Sequence, residues 1–244
     1  MQLVRPEFYP DRTADRATLE ALQRRLARHA HFDGDPTAGR SLDDLLIAGI
    51  DQAFDGDEVI SAVVCWQGGD VIDTITTRHP VSMPYIPGLL SFREGAAIVR
   101  TLSDLDQNPD LLLIDGSGRI HFREAGLATH IGVLYDIPAI GVIKSLLCGT
   151  LLDPPPAPFP VGTIVPIVAD HRMTTDTGTI VGYAVQTRQY RSSSRSINPI
   201  YVSPGHRITA KRSAEIALDL TGEYKLPEPI RLADALADRT AHHD

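Results

Sequence analysis

The sequence predicts an α/β domain built on a mixed β-sheet. The first part of the chain holds three strand-like runs separated by short glycine turns, a pattern typical of an antiparallel meander. The middle of the chain alternates helical stretches with short, wholly apolar strands, which favours βαβ units with parallel pairing and helices on both faces of the sheet. Because 244 residues suffice for one well-cored domain, we expect residues 1–244 to form a single domain.

The predicted elements follow one another without an internal repeat. An amphipathic helix at about 14–30 ends at the Asp-Gly-Asp-Pro string of 33–36. The meander strands lie at 45–54, 58–66 and 70–77, and they are followed by a helix at 92–105, a strand at 110–114, a helix at 124–135 and a strand at 139–143. After a proline-rich connector at 153–160, strands at about 163–169, 180–187 and 198–203 lead to a last helix at about 209–220 and a C-terminal tail at about 225–244.

Composition excludes several classes of protein. Hydrophobic residues make up 43% and charged residues 22% of the chain, as in ordinary globular domains. No apolar run approaches the roughly 20 residues of a membrane span, and residues 1–13 lack the apolar centre of a secretory signal. We therefore expect a cytoplasmic protein with no membrane partner. A monomer is the default expectation for its oligomeric state.

The charge of the chain is distributed unevenly. The net charge of −8 argues against a nucleic-acid partner, because lysine and arginine drive phosphate binding. However, the stretch 177–214 contains no Asp or Glu, while it carries Arg188, Arg191, Arg195, Arg207, Lys211 and Arg212. Without these six charges the rest of the chain has a net charge of −8 − 6 = −14. The stretch is either one basic face that docks nucleic acid or a solvated segment facing its own acidic body.

Two carboxylates lie where apolar strands rarely carry a charge. Asp51 lies within the apolar run of the first strand, and Asp115 ends the strand Leu-Leu-Leu-Ile. Burying an unpaired charge costs several kcal/mol, so such residues are paired or bind metal. Glu94 opens a helix, and a single carboxylate in the first turn of a helix ordinarily only stabilises the helix N-terminus. Three oxygen ligands from different elements suit Mg²⁺ or Mn²⁺. Acids in the first and fourth strands are the RNase H-like arrangement for metal-assisted phosphodiester cleavage.

Other candidate residues are individually ambiguous. Tyr85 lies between two prolines and is either an aromatic wedge for unstacking a base or a residue that fills a surface gap. Gly116 and Gly118 allow close approach of a ligand or simply a tight turn. Lys144 ends a strand, where a lysine can hold a phosphate, and His206 precedes the last helix. Taken alone, these last two are more often a surface lysine and a structural histidine.

Longer strings carry a specific resemblance. In this order along the chain, 49–51 reads Gly-Ile-Asp, 84–95 reads Pro-Tyr-Ile-Pro-Gly-Leu-Leu-Ser-Phe-Arg-Glu-Gly, and 110–118 reads Asp-Leu-Leu-Leu-Ile-Asp-Gly-Ser-Gly, with His121 close behind. The strings 126–130, Gly-Leu-Ala-Thr-His, 137–145, Ile-Pro-Ala-Ile-Gly-Val-Ile-Lys-Ser, and 202–206, Val-Ser-Pro-Gly-His, complete the set. Over about 45–232 the chain resembles the endonuclease V family, which nicks DNA at deaminated purines.

The resemblance implies roles for particular residues. Asp51, Glu94 and Asp115 match the family's metal ligands, and His206 matches a histidine that supports the metal site. Lys144 matches a lysine near the scissile phosphate, and Tyr85 matches the wedge that fills the gap left by the flipped base. Residues matching the substrate-binding part of the family's site are Gly116 and Gly118, whose backbone borders the base pocket, His121 beside them, and Arg93.

The implied function is Mg²⁺-dependent hydrolysis of the second phosphodiester bond 3′ to hypoxanthine in DNA, with Mn²⁺ as a substitute metal, in DNA repair. Departures from the family's pattern are Phe122 after His121, Ile143 before the lysine, and a longer, arginine-rich segment at 186–196. They put the shape of the base pocket and the substrate preference in doubt. An inosine-specific endoribonuclease and a lesion-binding protein that does not cut remain the alternatives.

Overall fold

The computed structural model describes residues 1–10, 14–81, 83–191 and 195–242, and within these ranges a single mixed sheet of nine strands forms the centre of the molecule. The strands are β1 (Ile47–Asp55), β2 (Glu58–Gln67), β3 (Asp70–Pro80), β4 (Leu111–Asp115), β5 (Ala139–Ile143), β6 (Thr150–Leu151), β7 (Ile164–Val168), β8 (Ile180–Val185) and β9 (Ile200–His206). The helices are α1 (Arg16–Ala27), α2 (Leu90–Asp104), α3 (Leu127–Tyr135), α4 (Ala210–Asp219) and α5 (Glu228–His242).

The sheet has the strand order β3-β2-β1-β4-β5-β9-β8-β7-β6. Strands β1 to β3 form the predicted antiparallel meander, and β1, β4 and β5 pair in parallel, as the apolar strands predict. Strand β9 pairs antiparallel to β5 and leads into the antiparallel strands β6 to β8. The predicted α/β, RNase H-like fold class with a mixed sheet is therefore confirmed.

Helices cover both faces of the sheet. On one face, residues of α1, α2 and α3 pack with Ile50 and Ile114 of the central strands. On the other face, residues of α4 and α5 pack with Ile47 and Leu113. Because side chains alternate along a strand, the neighbours Ile50 and Asp51 point to opposite faces, so Asp51 faces α5. None of the helices within the described ranges combines the length and apolarity that a bilayer crossing requires.

The chain after residue 225 is helical, so the predicted tail at 225–244 is wrong for residues 228–242, and the helix at 209–220 is not the last one. His243 and Asp244 lie outside the described residues. Prolines 227 and 229 look like turn signals, but proline is accepted in the first turn of a helix. The stripe Ile230, Ala233, Ala237 and Ala241 is buried against the sheet.

Two other boundaries differ from the predictions. Helix α3 begins at Leu127 rather than at 124, because Glu124 has a φ of +53° and belongs to a loop. The short strand β6 was not predicted, since two residues give no periodicity to detect.

Candidate active site

Three carboxylates meet at the centre of the sheet. Asp51 of β1, Asp115 at the end of β4 and Asp234 of α5 each offer an oxygen, and these atoms all lie within 4.8 Å of one another. The parallel register, which aligns Ile50 with Ile114, brings the first two residues side by side. The third comes from a helix more than a hundred residues away in sequence, so tertiary packing alone adds it to the cluster.

Helix α5 can approach β1 this closely because of a glycine. A Cβ atom at Gly49 would lie 2.2 Å from backbone atoms of Pro229, in the first turn of α5. Any side chain at this position would push the helix away from the strand and carry Asp234 away from Asp51. The string Gly-Ile-Asp at 49–51 thus provides both a carboxylate and the room for the helix that completes the cluster.

The cluster carries more negative charge than its protein surroundings compensate. Burial, and then the neighbouring Asp115, raise the pKa of Asp51, and burial likewise raises the pKa of Asp115 despite Lys144. The Lys144 ammonium lies 3.0 Å from an Asp115 oxygen and 3.5 Å from an Asp234 oxygen. Burial would lower the pKa of this lysine, but the three carboxylates outweigh burial and raise it.

The donor set fits a hard divalent cation. Convergent carboxylate oxygens are the ligands that Mg²⁺ and Mn²⁺ prefer, and a cation would relieve the repulsion between the carboxylates. Within the described residues this is the one group of three or more such side chains with that spacing. The cluster can therefore bind a metal ion.

Glu94 lies near the cluster without belonging to it. The residue lies in the second turn of α2 and is 8% exposed, but its carboxylate is not part of the group formed by Asp51, Asp115 and Asp234. Burial raises its pKa to about 7; the charge of Arg93 lowers it, and that of Asp115 raises it further. Glu94 thus interacts electrostatically with the cluster from the α2 side of the sheet.

Arg93 borders the loop that carries the predicted wedge. Its guanidinium stacks on the Phe54 ring, with 4.4 Å from the guanidinium carbon to the ring centroid. It lines a surface depression together with Met83 and Pro84, and its buried Nε atom has no hydrogen-bond partner among the described residues.

A cavity of about 160 Å³ opens beside this loop. Its lining includes Tyr85, Ser117, His121, Ile143 and Ser145. Tyr85, which lies between Pro84 and Pro87, is 62% exposed. Sites for drug-sized ligands are about 300 Å³ or larger, so this cavity suits a single flat heterocycle. Ile143, the departure noted before Lys144, narrows this cavity.

His121 shapes the cavity but has no ring nitrogen to spare. Its Nδ1 accepts a hydrogen bond from the Arg123 backbone N–H at 3.2 Å, which leaves Nε2 to donate to the Gly88 carbonyl oxygen at 3.1 Å. Burial lowers the pKa of His121 to about 4, in agreement with a neutral ring. The histidine therefore ties the loop before α2 to the loop after β4.

The two predicted pocket glycines support the loop from behind. The Gly116 N–H donates to the Val142 carbonyl oxygen, and the Gly118 N–H donates to the Ser203 hydroxyl. A Cβ atom at Gly118 would lie 2.3 Å from the Pro204 carbonyl oxygen, so close packing requires glycine there. Ser117, which lies between the two glycines, lines the cavity, whereas neither glycine is part of its lining.

His206 lies at the end of the central strands that is opposite to the carboxylate cluster. It aligns with Ala139, the first residue of β5, whereas Asp115 aligns with Val142 near the end of that strand. Both of its ring nitrogens have partners, since Nε2 lies 3.0 Å from an Asp136 oxygen and Nδ1 accepts from the His31 backbone N–H. The structure gives His206 contacts that hold the fold together and does not bring it to the carboxylate cluster.

The predicted basic face is divided into two parts. Arg188 and Arg195 flank the connection between β8 and β9 at the end of the sheet where β5 reaches Ile143. Arg207 and Lys211 follow β9 at its opposite end. The two ends of β9 are about 23 Å apart, since the strand has seven residues. The second group is already paired, Arg207 with Asp136, Lys211 with Glu215, and Arg212 with Asp35 and Glu215. Of the segment predicted at 186–196, residues 192–194 lie outside the described residues.

Asp234 is the member of the cluster that the sequence motifs do not mark. A signal was present, because Ile230, Ala233, Ala237 and Ala241 recur at helical spacing and an acid at position 234 falls on the same stripe. Treating 225–244 as a tail hid that stripe.

Comparison with known proteins gives a consistent family. The family model described as Endonuclease V matches residues 35–235. Endonuclease V of Natronomonas pharaonis is 53% identical over 244 residues, covering 98% of this chain and 96% of the relative. The crystal structure of endonuclease V from Streptomyces avermitilis superimposes with a TM-score of 0.78 at 33% identity, covering 93% of each chain. The fold is also similar to Ciona intestinalis endonuclease V in complex with a 24mer DNA containing an inosine followed by a ribo-adenosine, at a TM-score of 0.73 and 23% identity, covering 92% of this chain and 96% of that one.

Proposed function

This chain belongs to the endonuclease V family and is a nuclease, and from that premise we propose that it is a metal-dependent endonuclease that cuts DNA beside hypoxanthine. The observation that carries the proposal is the cluster of Asp51, Asp115 and Asp234 at the centre of the sheet, close to a small cavity whose lining includes the exposed Tyr85. The carboxylate cluster and the cavity are close together, because Ile143 lines the cavity and the next residue, Lys144, contacts Asp115.

Asp51, Asp115 and Asp234 would hold the metal, with Glu94 supporting it from the α2 side. A divalent cation bound there supplies the positive charge that stabilises the transition state of phosphodiester hydrolysis and acidifies the attacking water. Mg²⁺ is the proposed ion and Mn²⁺ a substitute, because the donors are carboxylates alone.

Lys144 would orient the scissile phosphate. Its side chain is half exposed, so the ammonium can reach a phosphate oxygen while it remains beside Asp115. The carboxylates keep the ammonium protonated, since they raise its pKa. Loss of this charge would weaken binding of the reacting phosphate.

Base recognition would use the cavity and its rim. A nuclease that recognises a base inside a duplex must first unstack it, at a cost of a few kcal/mol. Tyr85 would fill the vacated space in the stack, and the base would enter the cavity lined by Ser117, His121 and Ile143. The Tyr85 loop is fixed by the hydrogen bonds that the Gly88 carbonyl oxygen accepts, from Gln23 at 3.0 Å and from His121 at 3.1 Å.

We further propose that the enzyme hydrolyses the second phosphodiester bond 3′ to the lesion, leaves 3′-hydroxyl and 5′-phosphate ends, and acts in DNA repair. Support comes from the family resemblance of its motifs. The Ciona relative was studied with a strand containing inosine and a ribonucleotide, so an inosine-specific endoribonuclease is the second candidate. Readout of a 2′-hydroxyl would distinguish them. A lesion-binding protein that does not cut is disfavoured, because the acidic cluster is complete.

The test is a Mg²⁺-dependent nicking assay on matched DNA and RNA strands that each carry one hypoxanthine, with Asp51→Ala as the control. We expect a nick one nucleotide 3′ of the hypoxanthine in DNA and none with the variant. Cutting of RNA alone would replace the repair role with an RNA-directed one. Binding without cutting of either strand would overturn the proposal that the chain is an active nuclease.

A further inference from the structure

Cationic side chains extend away from the carboxylate cluster on the α4–α5 side of the sheet. Lys144 lies at the cluster, and its charge lowers the pKa of Lys225 in addition to the effect of burial on that residue. The Thr187 hydroxyl donates to the Lys225 carbonyl oxygen at 2.6 Å, and the Arg188 guanidinium donates to the Glu223 carbonyl oxygen. These bonds fasten the start of the β8–β9 connection to the turn before α5. Lys144, Lys225 and Arg188 therefore form a series of cations that leads outward from the cluster.

The outer part of this series has no acidic partner. Arg191 and Arg195 are exposed, and neither they nor Lys225 form an ion pair with a carboxylate in the part of the chain that the structure describes. Tyr190, beside Arg191, is 49% exposed. In contrast, Arg207, Lys211 and Arg212, which come shortly after β9, are all paired with acids. Exposed cations that no acid within the described ranges neutralises are free to bind a partner of opposite charge from outside the molecule.

The base of the segment is held in place by two glutamine side chains. The Gln186 amide donates to the carbonyl oxygens of Arg188 and Ile197 at 2.6 and 2.8 Å. The Gln189 side-chain oxygen accepts from the backbone N–H groups of Tyr190 and Ile197. Because the two ends of the connection are tied together, Tyr190 and Arg191 project from a fixed base at the end of the sheet where the cluster lies.

We propose that Lys225, Arg188, Arg191 and Arg195 form a phosphate track for the part of the nucleic-acid strand that lies 3′ of the cut, with Tyr190 as a stacking surface for one of its bases. This inference rests on the proposed function. The base cavity is lined from the α1–α3 side of the sheet, whereas the cluster faces α5, and Lys225 lies near Lys144 on that same side, where the turn before α5 meets the start of the β8–β9 connection. A strand whose lesion occupies the cavity and whose 3′ phosphate reaches the cluster continues onto the track. Exposed aromatic rings beside cations are typical of single-strand binding.

The track predicts a specific dependence on the length of the substrate. In EDTA, binding of a hypoxanthine strand should strengthen when the 3′ flank is extended from about 4 to about 16 nucleotides, the range that one strand-binding site spans. Extending the 5′ flank should have no comparable effect. Each contact with a single-strand phosphate contributes about 0.7 to the slope of log K against log salt, which is roughly fourfold in affinity at about 0.15 M salt.

The double variant Arg191→Ala/Arg195→Ala should therefore lose roughly 15-fold in affinity for the long 3′ flank and about 1.4 in the salt slope. It should bind and nick the short-flank strand as the wild type does. Arg191→Lys/Arg195→Lys should keep the slope because it keeps the charge. Lys211→Ala is the matched control, since it removes one exposed charge at the opposite end of β9.

Three results would overturn the track: a flank dependence that the double variant retains, a dependence on the 5′ flank instead, or a loss of affinity in Lys211→Ala as large as that in Arg191→Ala/Arg195→Ala. Failure of the proposed function has a different signature, since the wild type would then nick neither the short-flank nor the long-flank strand in Mg²⁺.

Discussion

Replacing Asp51 by asparagine should stabilise the metal-free protein at alkaline pH while it inactivates the enzyme. The Asp51 carboxyl is 7% exposed, and its oxygen lies within 4.8 Å of oxygens of Asp115 and Asp234. Two unit charges at 4.8 Å repel by about 3.5 kcal/mol at an effective dielectric constant of about 20. Burial and Asp115 raise the pKa of Asp51 to about 9. The folded state therefore binds a proton that the unfolded chain releases near pH 4, and stability falls as the pH rises from about 4 to about 9.

The assay is thermal unfolding in EDTA across this pH range. Asparagine cannot ionise, so Asp51→Asn should match the wild type near pH 4 and exceed it at pH 9 by about 3.5 kcal/mol, or about 7–14 °C for a chain of this length. Mg²⁺ at about 1,000 times its Kd should reverse the order, because it adds about 4.1 kcal/mol to a protein that binds it, which is more than the advantage of about 3.5 kcal/mol that the variant has without the metal. Asp238→Asn, an exposed carboxylate one turn after Asp234 on α5, is the control. Parallel pH curves for wild type and Asp51→Asn would refute the electrostatic reasoning.

Further predictions concern the other residues of the site. Asp234→Asn should reduce the nicking rate by more than about 100-fold, because loss of a residue that only supports a metal ligand costs about 10- to 100-fold. Asp238→Asn should nick at the normal rate. Equal rates in the two variants would show that Asp234 is not part of the metal site. Because the pKa of Glu94 is raised to about 7, the nicking rate at limiting Mg²⁺ should increase as the pH rises through 7 and the carboxyl ionises. Glu94→Gln should abolish that increase. If Glu94→Gln had the same pH profile as the wild type, Glu94 would have no role in metal binding. His206→Ala should lower the free energy of unfolding by about 1–3 kcal/mol, since it leaves the His31 N–H without its partner and removes one of the partners of Asp136, yet folded protein should nick at close to the wild-type rate. Tyr85→Ala should reduce the preference for hypoxanthine strands over undamaged ones by about 5- to 150-fold, as expected from the loss of one stacking interaction of about 1–3 kcal/mol; an equal loss on all strands would contradict the wedge.

Local patterns determined much of this protein. Alternation of apolar residues and glycine turns gave the antiparallel meander, and apolar strands between helices gave the parallel centre, because period and polarity are properties of neighbouring residues. The same local reasoning marked Asp51 and Asp115, since a charge in an apolar strand is conspicuous in the sequence itself. It also selected Tyr85, an aromatic residue between two prolines.

Tertiary structure alone decided which distant residues meet. Asp234 joins the cluster because Gly49 leaves room for the first turn of α5 against β1, a contact between positions 180 residues apart. His206, which its motif assigns to the metal, is committed to Asp136 and His31, and the strand β9 separates the arginines before it from those after it. The sequence records which residues are present and how they are spaced. The direction in which each strand runs through the sheet determines at which end of the strands a given side chain lies.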